Sequence, residues 1–510
     1  MDKNLITNLC TSIESDKNIH NVSNRNMSTK RNESMHPGVK KTENQGMDKV
    51  KEDCGIFGIY DPDGDSAKMT YYGLFALQHR GQQSCGIAVN KDREIRYYRN
   101  VGLVNEVFND EILEKLEGHM AIGHVRYSSE SAAEPENTEP LVIKYIKGTL
   151  AIALNGSLIN RKELTNEFAM TGAIFQTTSD SEIIAYAVAR ERATSPSVEV
   201  AISKAMRRLE GAYSVVLMSP KKLIAFRDPN GIRPLCMGRR GKQIVFASES
   251  CALDAIGAVY EREVAPGEIL VAEKGELRSL KDHMKDNQKE SNLCVFEYIY
   301  FARPDSDIYG LSVYESRKIA GRCLAKKDTV EADVVVGVPD SGLGAAMGYS
   351  EQSGIPFAEG FVKNRYIGRT FINPGQENRV IAVKIKLNAL RSNIVGKRVI
   401  MVDDSIVRGT TSAKIVSQLR EVGAKEVHVR ISSPPFLWQC FYGTDVPTRK
   451  ELLACNYSLE EIRKKIGADS LEFLDVEDLE LLANKVSCGF CDACFTGNYP
   501  FGGFKDSQTL

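Results

Sequence analysis

Val399-Ile-Met-Val-Asp403-Asp404-Ser405-Ile-Val-Arg408-Gly409-Thr410-Thr411-Ser412 carries an apolar run through two carboxylates, a hydroxyl and a glycine into a helical pattern. The four apolar residues read as a buried strand. Beyond the turn, Ile415, Val416, Leu419 and Val422 recur at helical spacing, and Gly423 stands where a helix-ending glycine belongs. A loop entering a helix N-terminus offers unpaired backbone N–H groups and the positive end of the helix dipole, which suits a phosphate dianion. Two adjacent carboxylates just before such a loop would be repelled by that phosphate unless they serve something else. Ribose hydroxyls, or a magnesium ion holding pyrophosphate, would give them that role. An ordinary strand-turn-helix junction accounts for an Asp-Asp-Ser turn, but not for the acidic pair and the glycine-threonine loop together.

Outward from this stretch, 510 residues are enough for two or more domains, each with its own core. Lys+Arg 66 against Asp+Glu 67 leaves almost no net charge, which argues against a nucleic-acid or membrane-surface binder. No apolar run of about 18 residues occurs, so a membrane span is not expected. Twelve cysteines are too sparse for a disulfide scaffold and point instead to a nucleophile, metal ligands and buried small hydrophobes. Residues 1–53 are polar, aperiodic and poor in apolar residues, and read as a disordered or removable leader. Mixed charges and the lack of an apolar segment there argue against organelle targeting and secretion, leaving a cytoplasmic setting.

After the leader, Cys54-Gly-Ile-Phe-Gly-Ile59 is an apolar strand that opens on a cysteine. Short strands and helices then alternate to about residue 275 without the regularity of a dinucleotide-binding fold. Cys54 alone would read as a buried strand thiol. Three further segments change that reading. Gly123-His124-Val125-Arg126-Tyr127-Ser128 offers a guanidinium able to grip a carboxylate. Asn155-Gly156 offers a side-chain amide and a backbone N–H, the donor types an oxyanion needs. Thr178-Ser179-Asp180 offers a carboxylate for an ammonium. Together with a thiol, these groups complement the ends of a free amino acid.

In the C-terminal half, Val334-Val-Val-Gly-Val-Pro339 reads as a second buried strand, leading into Asp340-Ser341-Gly342 and a helix start rich in small residues. Such a turn at the carboxyl end of a strand is where open α/β sheets bind ligands. The basic, Gly- and Pro-bearing segment Lys363 to Gln376 has the composition of a solvated loop. Lys384 and Lys386 follow it as candidates for phosphate contacts. Near the C-terminus, Cys488-Gly-Phe-Cys491-Asp-Ala-Cys494 forms two overlapping C-x-x-C units. Read from spacing, this is a metal site, iron–sulfur or zinc, before it is a redox pair, with three local ligands and a fourth unassigned.

Strand, acidic pair and loop around Asp403-Asp404 resemble the 5-phosphoribosyl-1-pyrophosphate (PRPP) signature of type I phosphoribosyltransferases. The N-terminal half resembles the class II glutamine amidotransferases. The combination, from residue 54 to about 500, resembles the family of glutamine-dependent PRPP amidotransferases in its iron–sulfur-containing branch. That resemblance implies a four-layer αββα N-terminal-nucleophile (Ntn) hydrolase domain over 54–285, after a leader of 1–53. A phosphoribosyltransferase domain with a mostly parallel sheet and the cysteine cluster would follow over 286–510, giving an α/β and α+β chain. Cys54 would be the nucleophile, freed at its amine by removal of the leader. Asn155 and Gly156 would form the oxyanion hole, Arg126 would bind the glutamine carboxylate and Asp180 its ammonium, and Tyr127 would be a further glutamine contact. PRPP would meet Asp340, Ser341, Lys384, Asp403, Asp404, Ser405, Arg408, Gly409 and Thr410, with one Mg2+ per subunit at Ser341, Asp403 and Asp404. One [4Fe-4S] cluster per subunit would sit on Cys294, Cys440, Cys491 and Cys494, with Cys488 a bystander. The implied activity transfers ammonia from glutamine to PRPP, the first committed step of purine biosynthesis. The chain would be a homo-oligomer (dimer or tetramer) restrained by purine nucleotides, with no nucleic-acid or membrane partner. A retired enzyme serving as a PRPP-binding, metal-containing regulator is the alternative. One departure stands out: Leu154 occupies the place of the histidine that the family usually has before Asn-Gly.

Overall fold

In the computed structural model the described residues are 54–64, 66–127, 135–281, 291–364, 387–483 and 488–502. All of them fall within one contiguous unit, Gln45–Leu510. The N-terminal half contains thirteen strands. These are β1 Cys54–Tyr60, β2 Ser84–Lys91, β3 Glu94–Val101, β4 Met120–Arg126, β5 Leu141–Tyr145, β6 Gly148–Leu158 and β7 Gly211–Met218. They continue as β8 Leu223–Arg227, β9 Cys236–Arg240, β10 Gln243–Ala247, β11 Val259–Glu263, β12 Ile269–Glu273 and β13 Glu276–Leu280. The longer helices among them are α1 Ser66–Ala76, α2 Arg161–Met170, α3 Asp180–Arg192, α4 Val198–Met206 and α5 Ser250–Ala255.

The strands form two antiparallel sheets, ordered β11-β9-β10-β1-β4-β2-β3 and β13-β12-β8-β7-β6-β5. Alternation along each strand makes the layers. In β1, Ile56 packs with Ile122, Ala153, Val216 and Phe246 between the sheets, whereas the next residue, Phe57, packs outward with Leu74, Leu77 and Leu253 under α1 and α5. The outer face of the second sheet buries Ile152, Val215 and Leu217 against Ile184, Val188 and Ile202 of α3 and α4. Helix, sheet, sheet and helix are thus the four layers that the family resemblance implied.

The C-terminal half carries β14 Asn292–Cys294, β15 Val334–Gly337, β16 Arg398–Asp403, β17 Glu426–Ile431, β18 Ser470–Phe473 and β19 Gly489–Cys491. Its helices include α6 Val313–Lys327, α7 Gly342–Ser353, α8 Thr410–Glu421, α9 Leu459–Ile466 and the short α10 Ala493–Thr496. Strands β15 to β18 make an all-parallel sheet. Both of its faces are covered, which is why β15 and β16 read as unbroken apolar runs. Val335, Ile400 and Val402 face α6 and α7, and Val336, Val399 and Met401 face α8 and α9. On α8 the residues of the opening periodicity, Ile415, Val416 and Leu419, are buried, each contributing roughly 1.5–3 kcal/mol. Gly423, with φ +104°, follows the helix end as its sequence position suggested.

Fully buried charges join the halves. Arg80, just after α1, donates to Glu249 at the start of α5 and, at 2.5 Å, to Glu297. His79 meets Glu249 at 2.6 Å, and Ser306 donates to the same carboxylate at 2.7 Å. Arg233 reaches Glu297 at 3.7 Å and donates to the Tyr442 carbonyl and the Thr444 hydroxyl at 3.1 and 3.0 Å.

Candidate active sites and a cysteine-lined cavity

Cys54 opens β1 and lies opposite Arg126 of β4 in the antiparallel register; Ser84 of β2 flanks Arg126 on its other side. The thiol belongs to no disulfide. The Arg126 guanidinium donates to the Asn137 carbonyl. Asn137 in turn donates to Thr178 Oγ1 at 2.8 Å and accepts from the Thr178 N–H at 2.9 Å. A single asparagine therefore ties the candidate carboxylate grip to the loop that leads into Asp180. Tyr127 follows directly and is half-buried, while Ser128 lies outside the described residues.

The next strut is Glu139. Its Oε2 accepts from the Leu154 N–H at 2.9 Å, and its Oε1 accepts from the Ser179 hydroxyl at 2.7 Å. His124 Nε2 donates to the Leu154 carbonyl at 3.1 Å and stands 3.7 Å from Glu139. Complete burial holds this imidazole below its usual pKa, so it is neutral. Leu154 is thus held at both main-chain groups while its side chain packs in the core beneath α3. The departure at this position costs neither the strand nor its register.

Asn155 follows, fully buried, and both polar atoms of its side-chain amide lack a hydrogen-bond partner. Leaving two such atoms unsatisfied in a dry interior is expensive unless a ligand uses them. Gly156 has φ +131°, and a Cβ there would fall 2.1 Å from the Ala212 carbonyl oxygen, so no other residue fits. Asp180 is the first residue of α3, after Ser179 at the N-cap. Its Oδ2 accepts from the Ser157 hydroxyl and the Leu158 N–H, both at 2.9 Å. Its Oδ1 accepts no hydrogen bond and lies 3.4 Å from Arg161 Nε. Burial raises the Asp180 pKa, against the opposing pull of Leu158, Arg161 and Ser157. Thiol, guanidinium, spare amide and half-satisfied carboxylate are the groups a free amino acid with a terminal amide would use.

At the second site, Asp403 ends β16, and Asp404 and Ser405 follow, all three buried. Asp404 accepts from the hydroxyls of Ser405, at 2.8 Å, and Ser341. The Asp404 N–H donates to Asp403 Oδ1 at 3.0 Å. Gly409, with φ +81°, caps α8; a Cβ there would meet Leu453 at 2.7 Å. The tight turn it allows aims the first turn of α8, from Thr410, at the loop. Arg408 pairs with Glu451 at 3.1 Å, and Asp340 with Lys363. Behind Asp404 stands Arg317, buried and donating to three carbonyls of the 298–302 segment. Lys384 and the rest of the 365–386 segment lie outside the described residues.

Cys294 and Cys491 sit opposite one another in the parallel pair β14–β19. With Cys440 and Cys494 they line a cavity of about 20 Å³, walled also by Phe296, Phe436, Tyr442 and Arg233. Among the described residues no three His, Cys, Asp or Glu side chains already stand in a metal-holding arrangement. The four thiols nevertheless share one apolar chamber. Burial pushes the Cys294 thiol up to about 12, and burial followed by the neighbouring sulfurs pushes Cys491 and Cys494 well above their usual value. Thiols so placed ionise together only around a cationic centre, which is how an iron–sulfur group would fit here. Cys488 is not in the cavity wall; the charges it feels are those of Arg227 and Glu263. Cys85, Cys236, Cys251 and Cys323 are buried, and Cys455 is half-buried.

Sequence reading missed Asn137, Glu139, Arg161 and Arg317. Glu136-Asn-Thr-Glu-Pro140 is a polar run just before an apolar strand, and its density of acceptors was the signal available.

Residues 124–255 match the glutamine amidotransferase domain family, and residues 310–432 match the phosphoribosyl transferase domain family. An amidophosphoribosyltransferase of Methanocaldococcus jannaschii is 49% identical over 461 residues, covering 88% of this chain and 97% of its own. One of Bacillus subtilis is 47% identical over 463 residues, covering 90% and 96%. The solved glutamine PRPP amidotransferase of B. subtilis, complexed with ADP and GMP, superposes with a TM-score of 0.83 at 46% identity. That match spans 90% of this chain and 99% of the solved one.

Proposed function

The chain belongs to the amidophosphoribosyltransferase family, and on that premise we propose that Cys54 cuts ammonia from glutamine for use at the Asp403–Asp404 loop. The enzyme hydrolyses glutamine to glutamate and transfers the ammonia to PRPP, giving 5-phosphoribosylamine and pyrophosphate, the entry step of purine biosynthesis. The glutaminase domain takes residues 54–285 and the phosphoribosyltransferase domain residues 286–510. Arg126 grips the glutamine carboxylate, Asp180 takes its ammonium, and Tyr127 beside Arg126 also contacts the substrate. Cys54 Sγ attacks the carboxamide carbon, and the oxyanion is met by the Asn155 amide and the Gly156 N–H. Ammonia leaves, and water hydrolyses the thioester to glutamate and the free thiol. The base is the α-amine of Cys54 once residues 1–53 are removed, taking the thiol proton and passing it to the departing nitrogen; a free amine titrates near 7.7–8.0, whereas a peptide nitrogen takes no proton.

In the second half-reaction ammonia attacks C1 of PRPP as pyrophosphate departs. Asp403 and Asp404 hold the ribose hydroxyls, while Ser405, Arg408, Gly409, Thr410, Asp340 and Lys384 hold the phosphates. At Asp340 it is the loop backbone, not the carboxylate, that faces the phosphates. Ser341, Asp403 and Asp404 would also hold Mg2+; two carboxylates and a hydroxyl form a donor set that suits it. The ion, when bound, neutralises the charge gathering on the departing pyrophosphate. Cys294, Cys440, Cys491 and Cys494 would hold a [4Fe-4S] cluster, which in a redox-neutral reaction supplies a cross-link between three chain segments. Purine nucleotides restrain the enzyme, which works in the cytoplasm as a homo-oligomer.

The observation that supports this reading most directly is the pair of buried polar groups left short of partners, the Asn155 amide and Asp180 Oδ1. The test is PRPP-dependent release of glutamate by purified protein lacking residues 1–53, with and without Mg2+. Consumption of neither substrate in the presence of the other would refute it. For the cluster, anaerobically purified protein should absorb in the visible, and Cys294→Ser should abolish that absorbance while Cys488→Ser keeps it. Trp438, the chain's one tryptophan, donates its main-chain N–H to the Cys494 carbonyl at 3.0 Å and gives a second readout through quenching of its emission.

A further inference from the structure

Two cations have a claim on one oxygen at the glutamine site. Asp180 Oδ2 is already committed to the Ser157 hydroxyl and the Leu158 N–H. Only Oδ1 remains for a ligand, and it faces Arg161 Nε at 3.4 Å without a hydrogen bond. Arg161 is the first residue of α2, and its guanidinium also donates to the Thr178 carbonyl, at the lip of the same loop. Its side chain is 42% exposed, whereas that of Asp180 is 9% exposed. The other acid near Asp180, Glu139, adds repulsion and offers no charge compensation.

We propose that Arg161 is a built-in competitor of the glutamine ammonium, neutralising Asp180 in the empty site and yielding when substrate arrives, so that it sets the affinity for glutamine. A buried carboxylate without a cation is costly, and Arg161 supplies that cation until the ligand brings its own. Once the ligand ammonium reaches Oδ1, a second cation a few ångströms away repels it. The long, half-solvated arginine is the one free to swing into water. The cost of that exchange is met on binding and is the same in ground and transition states, so it enters KM and leaves kcat alone. A ligand without the ammonium has no need to move Arg161, so the arginine also narrows the enzyme's preference for glutamine over its des-amino analogue.

The inference rests on the assignment of Asp180 to the glutamine ammonium, and the experiment separates the two. Arg161→Met should lower the KM for glutamine roughly three- to tenfold, the range expected for a partly screened like-charge contact, with kcat within about twofold. Glutaramate, which is glutamine without its α-ammonium, should inhibit Arg161→Met no more tightly than the parent, and Arg161→Lys should keep the parental KM. An unchanged or higher KM in Arg161→Met, or glutaramate tightening in parallel with glutamine, overturns the competition. Asp180→Asn is the control on the assignment. A raised KM there with no gain from Arg161→Met defeats the competition alone, and an unchanged KM in Asp180→Asn defeats the assignment beneath it.

Discussion

The glutamine site and the phosphoribosyl site keep their polar groups in opposite states. Around Cys54, strands and short struts fix the backbone, and the groups proposed to meet substrate are short of partners among the described residues: the Asn155 amide has none, and Asp180 Oδ1 has only a distant arginine. Around Asp403, the corresponding groups satisfy one another. Asp404 holds two hydroxyls, Asp340 holds Lys363, and Arg408 holds Glu451. The first site stores its binding energy as unpaired polarity, and substrate arrival forms bonds without breaking many. The second has partners to exchange when its ligand comes, as befits a site proposed for a heavily charged molecule.

Removing the proposed nucleophile separates the two sites most sharply. Cys54→Ala should lower glutamine-dependent amination of PRPP by roughly four orders of magnitude, since no other group can form the thioester. Supplied with ammonium salts instead of glutamine, the variant should aminate PRPP within about threefold of the parent, because the second site takes ammonia directly. Parallel loss of both activities, measured as pyrophosphate release, would mean that the sites are not chemically independent.

Their structural dependence is another matter. Arg80 lies between Glu249 and Glu297 with every side chain fully buried. Burial works against ionisation of Glu249, yet His79 and Arg80 hold its carboxyl well below the usual range. Arg80→Met leaves two buried carboxylates short of a cation and should cost about 3–5 kcal/mol, seen as a lower urea midpoint for the whole unit. For Glu249, a depressed folded-state pKa means stabilisation that is complete above the ordinary carboxylate pKa and fades as pH falls below it. The stability gap between parent and Arg80→Met should therefore narrow in acid, and a gap that widens would refute the assignment of charge.

Little of that joint was readable in the chain, because Arg80 and Glu297 are 217 positions apart. What was readable is local. Val399 to Val402 announced a strand buried on both faces, and Gly409 with Ile415, Val416 and Leu419 announced the turn and helix that follow. Cys54, Arg126, Asn155 and Asp180 were found through their chemistry and their resemblance to a family, and strands β1, β4 and β6 with α3 supply the positions. Spacing alone pointed to Cys488, Cys491 and Cys494 as a ligand run, whereas the cavity wall holds Cys294 and Cys440 in place of Cys488. The parallel pairing of Cys294 with Cys491 explains why: strand register, not sequence proximity, chooses the thiols. Glu139 and Asn137 escaped because their work is to join segments about 15 and 41 positions away, and nothing local marks such a strut.

The unpaired state of the glutamine site gives it a pH dependence of its own. Burial raises the Asp180 pKa above that of an exposed carboxylic acid. Only the ionised form attracts an ammonium, so the KM for glutamine should climb as pH falls through that raised value, by about tenfold per unit once below it. The KM for PRPP should not share this inflection, and a common inflection would place the titrating group elsewhere. Asp180→Asn should abolish the pH dependence of the glutamine KM while raising its value.

The smallest effect tests the paired state of the phosphoribosyl site. Arg408 and Glu451 form an ion pair with side chains 38% and 50% exposed. Pairs so open to water contribute between zero and about 1 kcal/mol, so Glu451→Gln should barely move the melting temperature. Its consequence should appear in binding. If Arg408 has to leave Glu451 for a phosphate, removing the competing carboxylate lowers the cost of the exchange, and the KM for PRPP should fall about twofold. If Glu451 instead holds the guanidinium where the phosphate needs it, the same change raises that KM. Thus the direction of a small shift decides whether partners at this site are exchanged on binding or merely hold one another in place.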